Sequence, residues 1–309
     1  MSQARPRGDN HRPVTASRPA LCAVLIAAVA FAASCGSAPA ACKLAARPAD
    51  PSAAPLLWRV RAGSGATVWL FGTIHDVGAS DVPPAAWRSL DGATRLVSEL
   101  GDDEPDRARM TQLARLPWGQ VLDRMLPADD WWNLVIALAG VVSEDELRHA
   151  RPWFALVRLR SHMTRAVQPS MDAAVAAGAR RRGIAVEPLE SWEQQITALD
   201  ASITPADLSI AIRSRDAAAC DLAALVSAYR TRDLPLLTRM LVIPDRTELV
   251  VDRNRRWMPQ IERQLSGPGT GSTFVAVGLG HLLGDSGLPA MLSRAGYSVE
   301  RATADSLLR

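Results

Sequence analysis

A short apolar strand followed by the tetrad Gly-x-x-His occurs twice in this 309-residue chain, close to its two ends. Residues 67–71 (TVWLF) lead into the tetrad that ends at His75, and residues 273–277 (TFVAV) lead into the one that ends at His281. A glycine after a buried strand lets the backbone turn sharply, so the histidine lies just beyond the strand's carboxyl end. Ligands collect at this edge in open α/β sheets. The repeat therefore predicts a sheet in which two distant imidazoles meet.

The sequence between the two tetrads predicts further strands and many helices. Residues 56–62 and 66–71 are strand-like and are joined by a Gly-Ser-Gly segment, which indicates a hairpin. Residues 94–100 (TRLVSEL) form a buried strand in this interpretation, and residues 105–165 are mostly helical. Together these patterns predict an α/β (α+β) fold with a mixed, largely parallel central sheet and a large helical insertion.

Three helical segments carry more specific predictions. The spacing of Ser143 and Glu146 predicts a capping box at the start of a helix. One long helix is expected from Thr204 to Tyr229, and another over residues 246–265.

An export signal is predicted over residues 1–34, where a basic, polar start precedes a charge-free apolar run that is too short to span a bilayer. Two processing sites remain open. Residues 32–35 (AASC) resemble a lipoprotein box, which would attach lipid to Cys35, whereas residues 38–40 (APA) suit an ordinary signal peptidase. Either site predicts a mature protein in the periplasm or anchored to a membrane that faces it.

The charge of the chain lies almost entirely in this signal. Four arginines and one aspartate in the first 20 residues account for the formal net charge of +3, so the remaining chain is neutral. A neutral body gives no electrostatic case for binding nucleic acid or an anionic membrane surface.

Residues 35–55 are rich in Ala, Pro and Ser and are interpreted as a flexible tether, which leaves residues 56–305 as the folded domain. Cys42 and Cys220 remain once the signal and Cys35 are set aside, and an oxidising compartment permits a disulfide between them. The sequence contains no CxxC or Cys/His cluster, which excludes a structural zinc site built on thiolates.

Glu99 is the candidate carboxylate partner of the two histidines. It interrupts an apolar strand near its carboxyl end, and a buried glutamate without a partner is costly. Two imidazoles and one carboxylate leave open positions on a divalent cation such as Mn, Co or Zn, which can activate a bound water. The pattern therefore predicts a metal site at His75, Glu99 and His281, with a solvent-exposed strand-end glutamate as the alternative.

Three further polar residues are candidates for substrate binding or support. Glu190 lies at a strand-to-helix junction, where it would contact substrate or act as a helix N-terminal acid. Arg253 and Asn254 lie on the helix that precedes the second tetrad. A buried Arg253 would bind a substrate carboxylate or brace a metal-ligating glutamate, whereas a solvated basic face is the alternative.

Several segments of the chain closely resemble the TraB/GumN family, which is related to the Tiki membrane peptidases. The resemblance covers nearly all of the chain after the tether, in the family's order and spacing. It is carried by residues 57–60 (LWRV), 68–75 (VWLFGTIH), 96–100 (LVSEL), 183–195 (GIAVEPLESWEQQ), 253–257 (RNRRW) and 274–281 (FVAVGLGH).

This resemblance implies a metal-dependent peptidase in which paired Gly-x-x-His motifs and a glutamate form the site. Those residues are His75, His281 and Glu99 here, with Arg253 or Asn254 in support. The resemblance also implies a fold similar to those of the Tiki and erythromycin esterase-like proteins.

Three functions are open at this point, because a fold alone does not fix a reaction. The first is an exported metal-dependent hydrolase that cleaves peptide-like bonds, which the presence of both histidines and Glu99 favours. The second is a non-catalytic periplasmic protein that holds a peptide or small-molecule ligand in the same cleft. The third is a metal-free hydrolase in which a histidine acts as general base toward an ester.

Overall fold

The computed structural model describes residues 48–49, 54–63, 65–101, 106–164, 169–242, 247–266 and 271–303. The predicted export signal, most of the predicted tether, and Cys35 and Cys42 lie outside these residues. Cys220 is disulfide-bonded. Its pairing with Cys42 stays a prediction, because Cys42 is not among the described residues. Within the described residues, no helix is both long and apolar enough to cross a membrane.

Six strands of the described chain form one mixed sheet, in the order β4-β3-β5-β2-β1-β6. Neighbouring strands are parallel from β4 through to β2, and β1 is antiparallel to both of its neighbours. This confirms the predicted mixed, largely parallel sheet and the hairpin at its start. The strands are Leu57–Arg61 (β1), Thr67–Thr73 (β2), Ala93–Ser98 (β3), Ala185–Pro188 (β4), Ser272–Gly278 (β5) and Ser298–Arg301 (β6).

The two strands that carry the tetrads lie side by side. β2 and β5 are parallel neighbours, and Thr73 of the first tetrad pairs with Gly278 of the second. The backbones approach closely here, because a Cβ on Gly72 would overlap the side chain of Leu279. Parallel pairing places both histidines at the same edge of the sheet, which is the arrangement that the repeated motif predicts.

Helices surround this sheet and also build a second layer beside it. Twelve are described: Pro84–Asp91 (α1), Arg107–Ala114 (α2), Ala128–Ala137 (α3), Glu144–Arg148 (α4), Pro152–Thr164 (α5), Met171–Arg181 (α6), Trp192–Ser202 (α7), Pro205–Arg213 (α8), Ala218–Thr231 (α9), Leu234–Leu241 (α10), Val251–Ser266 (α11) and Leu288–Arg294 (α12).

The buried apolar residues form two clusters. The larger one packs α1, α6 and α9 to α12 against the sheet. The smaller one joins α2 to α5 with α7 and α8, and it is the predicted helical insertion with two later helices packed on it. The candidate site residues lie on the elements that surround the carboxyl edge of the sheet.

The prediction of one helix from Thr204 to Tyr229 is wrong. The chain instead forms α8, a short 3-10 turn and α9. The two parts separate because they bury different faces: Leu208 of α8 packs in the smaller cluster, whereas Tyr229 of α9 packs in the larger one. The helical spacing of apolar residues in the sequence does not indicate which of the two apolar clusters a segment packs in.

Other boundaries also differ from the sequence-based expectations. Residues 247–250 form a turn rather than helix, so α11 begins at Val251. The cap of α4 consists of the Ser143 side chain accepting from the Glu146 N–H, which is the serine half of the predicted capping box. β3 ends at Ser98, so Glu99 follows the strand rather than interrupting it.

Candidate active site

Three side chains predicted from the sequence converge at the carboxyl edge of the sheet. His75 follows β2, Glu99 follows β3, and His281 lies in the 3-10 turn that follows β5. A Cβ placed on Gly278 would lie 3.1 Å from Oε1 of Glu99, 3.6 Å from Nε2 of His75 and 3.8 Å from Cδ2 of His281. The second tetrad's glycine is therefore the point around which the three side chains are arranged.

His75 is oriented by Asp172, which lies in the first turn of α6. The His75 Nδ1 atom lies 2.5 Å from Oδ2 of Asp172, and the Thr73 hydroxyl donates to the other carboxylate oxygen at 2.5 Å. A carboxylate on Nδ1 fixes the orientation of an imidazole ring and leaves Nε2 for chemistry. Asp172 was not identified from the sequence, because an acid in the first turn of a helix is ordinarily explained by the helix dipole.

His75 is the accessible member of the cluster, with 14% of its side chain exposed. Among the described residues, its Nε2 atom has no hydrogen-bond partner. Burial lowers the pKa of His75, but the charge and hydrogen bond of Asp172 outweigh it, and Glu99 and Asp76 act in the same direction. The net result raises the pKa of His75 from 6.5 to about 9, so the ring is protonated at neutral pH.

Glu99 is a buried carboxylate whose two oxygens are both hydrogen-bonded. Oε1 accepts from the Gly278 N–H at 2.7 Å, and Oε2 accepts from Gln195 at 3.1 Å and from Arg253 at 2.5 Å. Burial raises the pKa of Glu99. The larger, opposite effect of Arg253, the two histidines and the Gly278 N–H lowers this pKa to well below its ordinary value. Glu99 is therefore ionised and fixed in place.

Arg253 is completely buried beneath the cluster and joins its members. Its Nη2 donates to Glu99 and Glu190, its Nε donates to Glu190, and its Nη1 donates to the Leu249 carbonyl at 3.1 Å and to Nε2 of His281 at 3.0 Å. Every N–H of the guanidinium thus has an acceptor. Arg253 is therefore buried rather than part of a solvated basic face, and it contacts Glu99, whereas a substrate carboxylate or a metal-ligating role for Glu99 stays a prediction.

His281 is buried and neutral, and both of its ring nitrogens have partners. Since Nε2 accepts from Arg253, Nδ1 carries the proton and donates to Oδ1 of Asn254 at 2.7 Å. Burial lowers the pKa of His281, and the charge of Arg253 lowers it further against the opposing effect of Glu99, to about 3. Trp257 packs on the ring, with 4.4 Å between centroids.

Glu190 and Asn254 are buried and contact the other members of the cluster, Arg253 and His281. The Glu190 side chain is 2% exposed, and both of its oxygens accept from Arg253. Burial raises the pKa of Glu190, and Arg253 only partly offsets this. The Asn254 amide donates to the carbonyls of His281 and Ser286. The structure therefore gives both residues structural contacts where the sequence predicted contact with substrate.

The model of the TraB/PrgY/gumN family matches residues 56–301, which is most of the chain. The chain belongs to the TraB/PrgY/gumN family. Neither the curated proteins nor the solved structures include a match to it. The match spans both tetrads and the segments that carry Glu99, Glu190 and Arg253, so these residues belong to the family domain.

The metal that resemblance to the Tiki peptidases implies does not fit this arrangement of residues. The described residues contain no group of three His, Cys, Asp or Glu side chains able to hold a metal ion. An imidazole nitrogen has one lone pair, and that of His281 Nε2 is already used by Arg253. His75 and one lone pair of Glu99 Oε1 remain, which falls short of the three protein ligands typical of catalytic zinc. A metal in this family member stays a prediction.

Gly278 is a position where added volume should disrupt the cluster. The methyl group of Gly278→Ala would press on Glu99, whose three hydrogen bonds prevent it from moving aside. We expect Gly278→Ala to lower the free energy of unfolding by about 1–3 kcal/mol, as overpacking does elsewhere. Chemical denaturation measures this.

Gly92 provides the matched control, since a methyl group there meets nothing nearer than 4.0 Å. Gly92→Ala should change the free energy of unfolding by less than about 0.5 kcal/mol. Equal effects of the two substitutions would contradict the close packing of Glu99 around Gly278.

Proposed function

We propose that this chain is a hydrolase of peptide-like or ester bonds in which His75 transfers the proton. The observation that carries the proposal is the contact between His75 Nδ1 and Asp172 at 2.5 Å, which orients the imidazole and leaves Nε2 without a hydrogen-bond partner among the described residues. A carboxylate-oriented imidazole with a free Nε2 is the arrangement that proton transfer to and from a reacting group requires.

The proposed reaction is addition of water to a carbonyl carbon. The unprotonated Nε2 of His75 takes a proton from water as the water oxygen bonds to the carbonyl carbon. The bond from that carbon to the leaving nitrogen or oxygen then breaks, and the leaving group takes the proton back from Nε2. Asp172 stabilises the imidazolium that exists between the two transfers.

Resemblance to the Tiki peptidases supports a peptide-like substrate. The predicted export signal over residues 1–34 supports work in the periplasm or on a membrane that faces it. Both aspects of the proposal rest on the sequence rather than on contacts in the cluster.

The reaction should accelerate with pH up to about 9. The pKa of His75 is raised to about 9, so the base form is a minority at neutral pH and grows as pH rises. The initial rate should therefore increase about tenfold per pH unit below this value and level off above it. Rates on peptide and ester libraries between pH 6 and pH 10 measure this profile.

His75→Gln should abolish the hydrolysis in this assay. The matched control is His149→Gln, because His149 lies at the end of α4 and its ring contacts Asp145 of that helix. A loss of activity on exhaustive chelation, recovered with Mn²⁺, Co²⁺ or Zn²⁺, would instead support the metal-dependent reaction. A rate that does not change with pH would contradict His75 as the base.

A non-catalytic binding protein is the second candidate. The observation that favours it is that Glu99 and His281 are buried and that each of their side-chain nitrogens and oxygens is already hydrogen-bonded to another described residue. Tight binding of a peptide without cleavage across the pH range would select this alternative.

A further inference from the structure

We infer that the guanidinium of Arg253 is the resident cation of this site and occupies two of the side chains, Glu99 and His281, that the resemblance assigns to a divalent metal. The inference is independent of the proposed hydrolysis, since it concerns which cation neutralises the buried carboxylates. It applies equally to a hydrolase and to a binding protein.

The first step of the argument is the position of the guanidinium among ligand atoms. Oxygens of Glu99 and Glu190 and the Nε2 atom of His281 lie between 2.5 and 3.2 Å from its nitrogens. Two carboxylates and an imidazole are the donor set that a divalent transition metal prefers. In this chain all three of these side chains are directed at Arg253.

The second step is that the guanidinium and a metal are mutually exclusive at His281. The single lone pair on Nε2 accepts from Arg253 Nη1, and Nδ1 must carry the proton because it donates to Asn254. A metal at Nε2 would require the guanidinium to withdraw. The Arg253 side chain cannot withdraw into solvent, because it is fully buried. Its Cζ atom lies 4.7 Å from the centroid of the Trp257 ring.

The third step is the charge of the cluster. Glu99 and Glu190 are the two buried acids in contact with Arg253, and its guanidinium donates hydrogen bonds to both carboxylates. Their charge is therefore offset by a side chain of the protein. A dication added beside a buried arginine would meet like charge in a region of low dielectric, which is unfavourable.

The test measures metal binding by the full exported chain and by variants at Arg253. Wild-type protein, purified without chelator, should contain far less than one equivalent of divalent metal, and Zn²⁺ or Mn²⁺ should leave its melting temperature unchanged. Arg253→Ala vacates the guanidinium and frees the donors of Glu99, Glu190 and His281. This variant should bind Zn²⁺ at least about tenfold more tightly than wild type, and its melting temperature should rise by about 5–10 °C at a hundredfold excess over the dissociation constant.

Two controls identify the cause of any gain in binding. Arg253→Lys retains a cation and should not gain Zn²⁺ binding. Arg255→Ala removes an exposed arginine of the same helix, which pairs with Asp252, and should behave as wild type.

Two outcomes would overturn the inference. One is a wild-type protein that holds about one equivalent of metal and loses it on His281→Ala. The other is a folded Arg253→Ala variant that binds Zn²⁺ no better than wild type. If Arg253→Ala does not fold, the wild-type titration decides alone, because the occupied Nε2 of His281 predicts no binding there.

Discussion

Replacing Arg253 with methionine should lower the free energy of unfolding by about 3–5 kcal/mol, because it removes one side of a buried ion network and leaves the other side unpaired. Glu99 and Glu190 would lose the guanidinium that contacts both, so each would either stay charged in the interior without a cation or take up a proton at a cost. The corresponding fall in melting temperature is about 6–20 °C for a domain of this size. Thermal and urea denaturation measure both quantities.

The same substitution should cost less when the carboxylates are neutral. Adding Glu99→Gln and Glu190→Gln to Arg253→Met should recover part of the lost stability, because uncharged amides are cheaper to bury than carboxylates. Arg255→Met is the control on the same helix, since its side chain is 66% exposed and its loss should matter by less than about 0.5 kcal/mol. If Arg253→Met lowers the free energy of unfolding by less than about 1 kcal/mol, the ion network does not stabilise the fold as predicted.

The sequence predicted the sheet and the edge that carries the candidate site because both depend on local patterns. Apolar strands, glycine turns and the repeated tetrad identify β2 and β5, and parallel neighbours must end at the same edge. The positions of His75 and His281 follow from that constraint. Glu99 follows in the same way, because β3 is the other neighbour of β5.

Asp172 and Gln195, which two helices contribute, could not be predicted in this way. Asp172 reaches His75 across 97 positions in the sequence, and Gln195 reaches Glu99 across 96. Nothing in the spacing of an acid in α6 or an amide in α7 records which strand end the helix will pack beside. These contacts depend on how the helices pack, which hydrophobic periodicity does not encode.

The orientation of Arg253 was open for a similar reason. A run of arginines on one helix turn indicates that some face inward, but not which acceptors they meet. The structure buries Arg253 and leaves Arg255 exposed. Because Arg253 is buried, it lies at the centre of the hydrogen-bond network. Its hydrogen bond to Nε2 of His281 also uses the nitrogen that a metal would need.

Asp172→Asn should lower the maximal rate of the proposed hydrolysis by about 10²- to 10⁴-fold, because an amide oxygen and an amide N–H stabilise the imidazolium far less than a carboxylate and permit the wrong tautomer of His75. The midpoint of the pH profile should also move below 9, toward the ordinary pKa of histidine. Asp172 makes the largest contribution that raises the pKa of His75. Without it, the effect of burial, which lowers this pKa, is less strongly opposed.

Asp76→Asn is the matched control for this prediction. Asp76 is also an acid near His75, but it contributes least to the raised pKa and makes no hydrogen bond to the ring among the described residues. Its replacement should leave the rate within about threefold of wild type and the midpoint close to 9. A rate for Asp172→Asn as high as that for Asp76→Asn would exclude an oriented His75 as the proton-transfer group. A midpoint that moved without a loss of maximal rate would mean that Asp172 sets the charge of His75 but not its position.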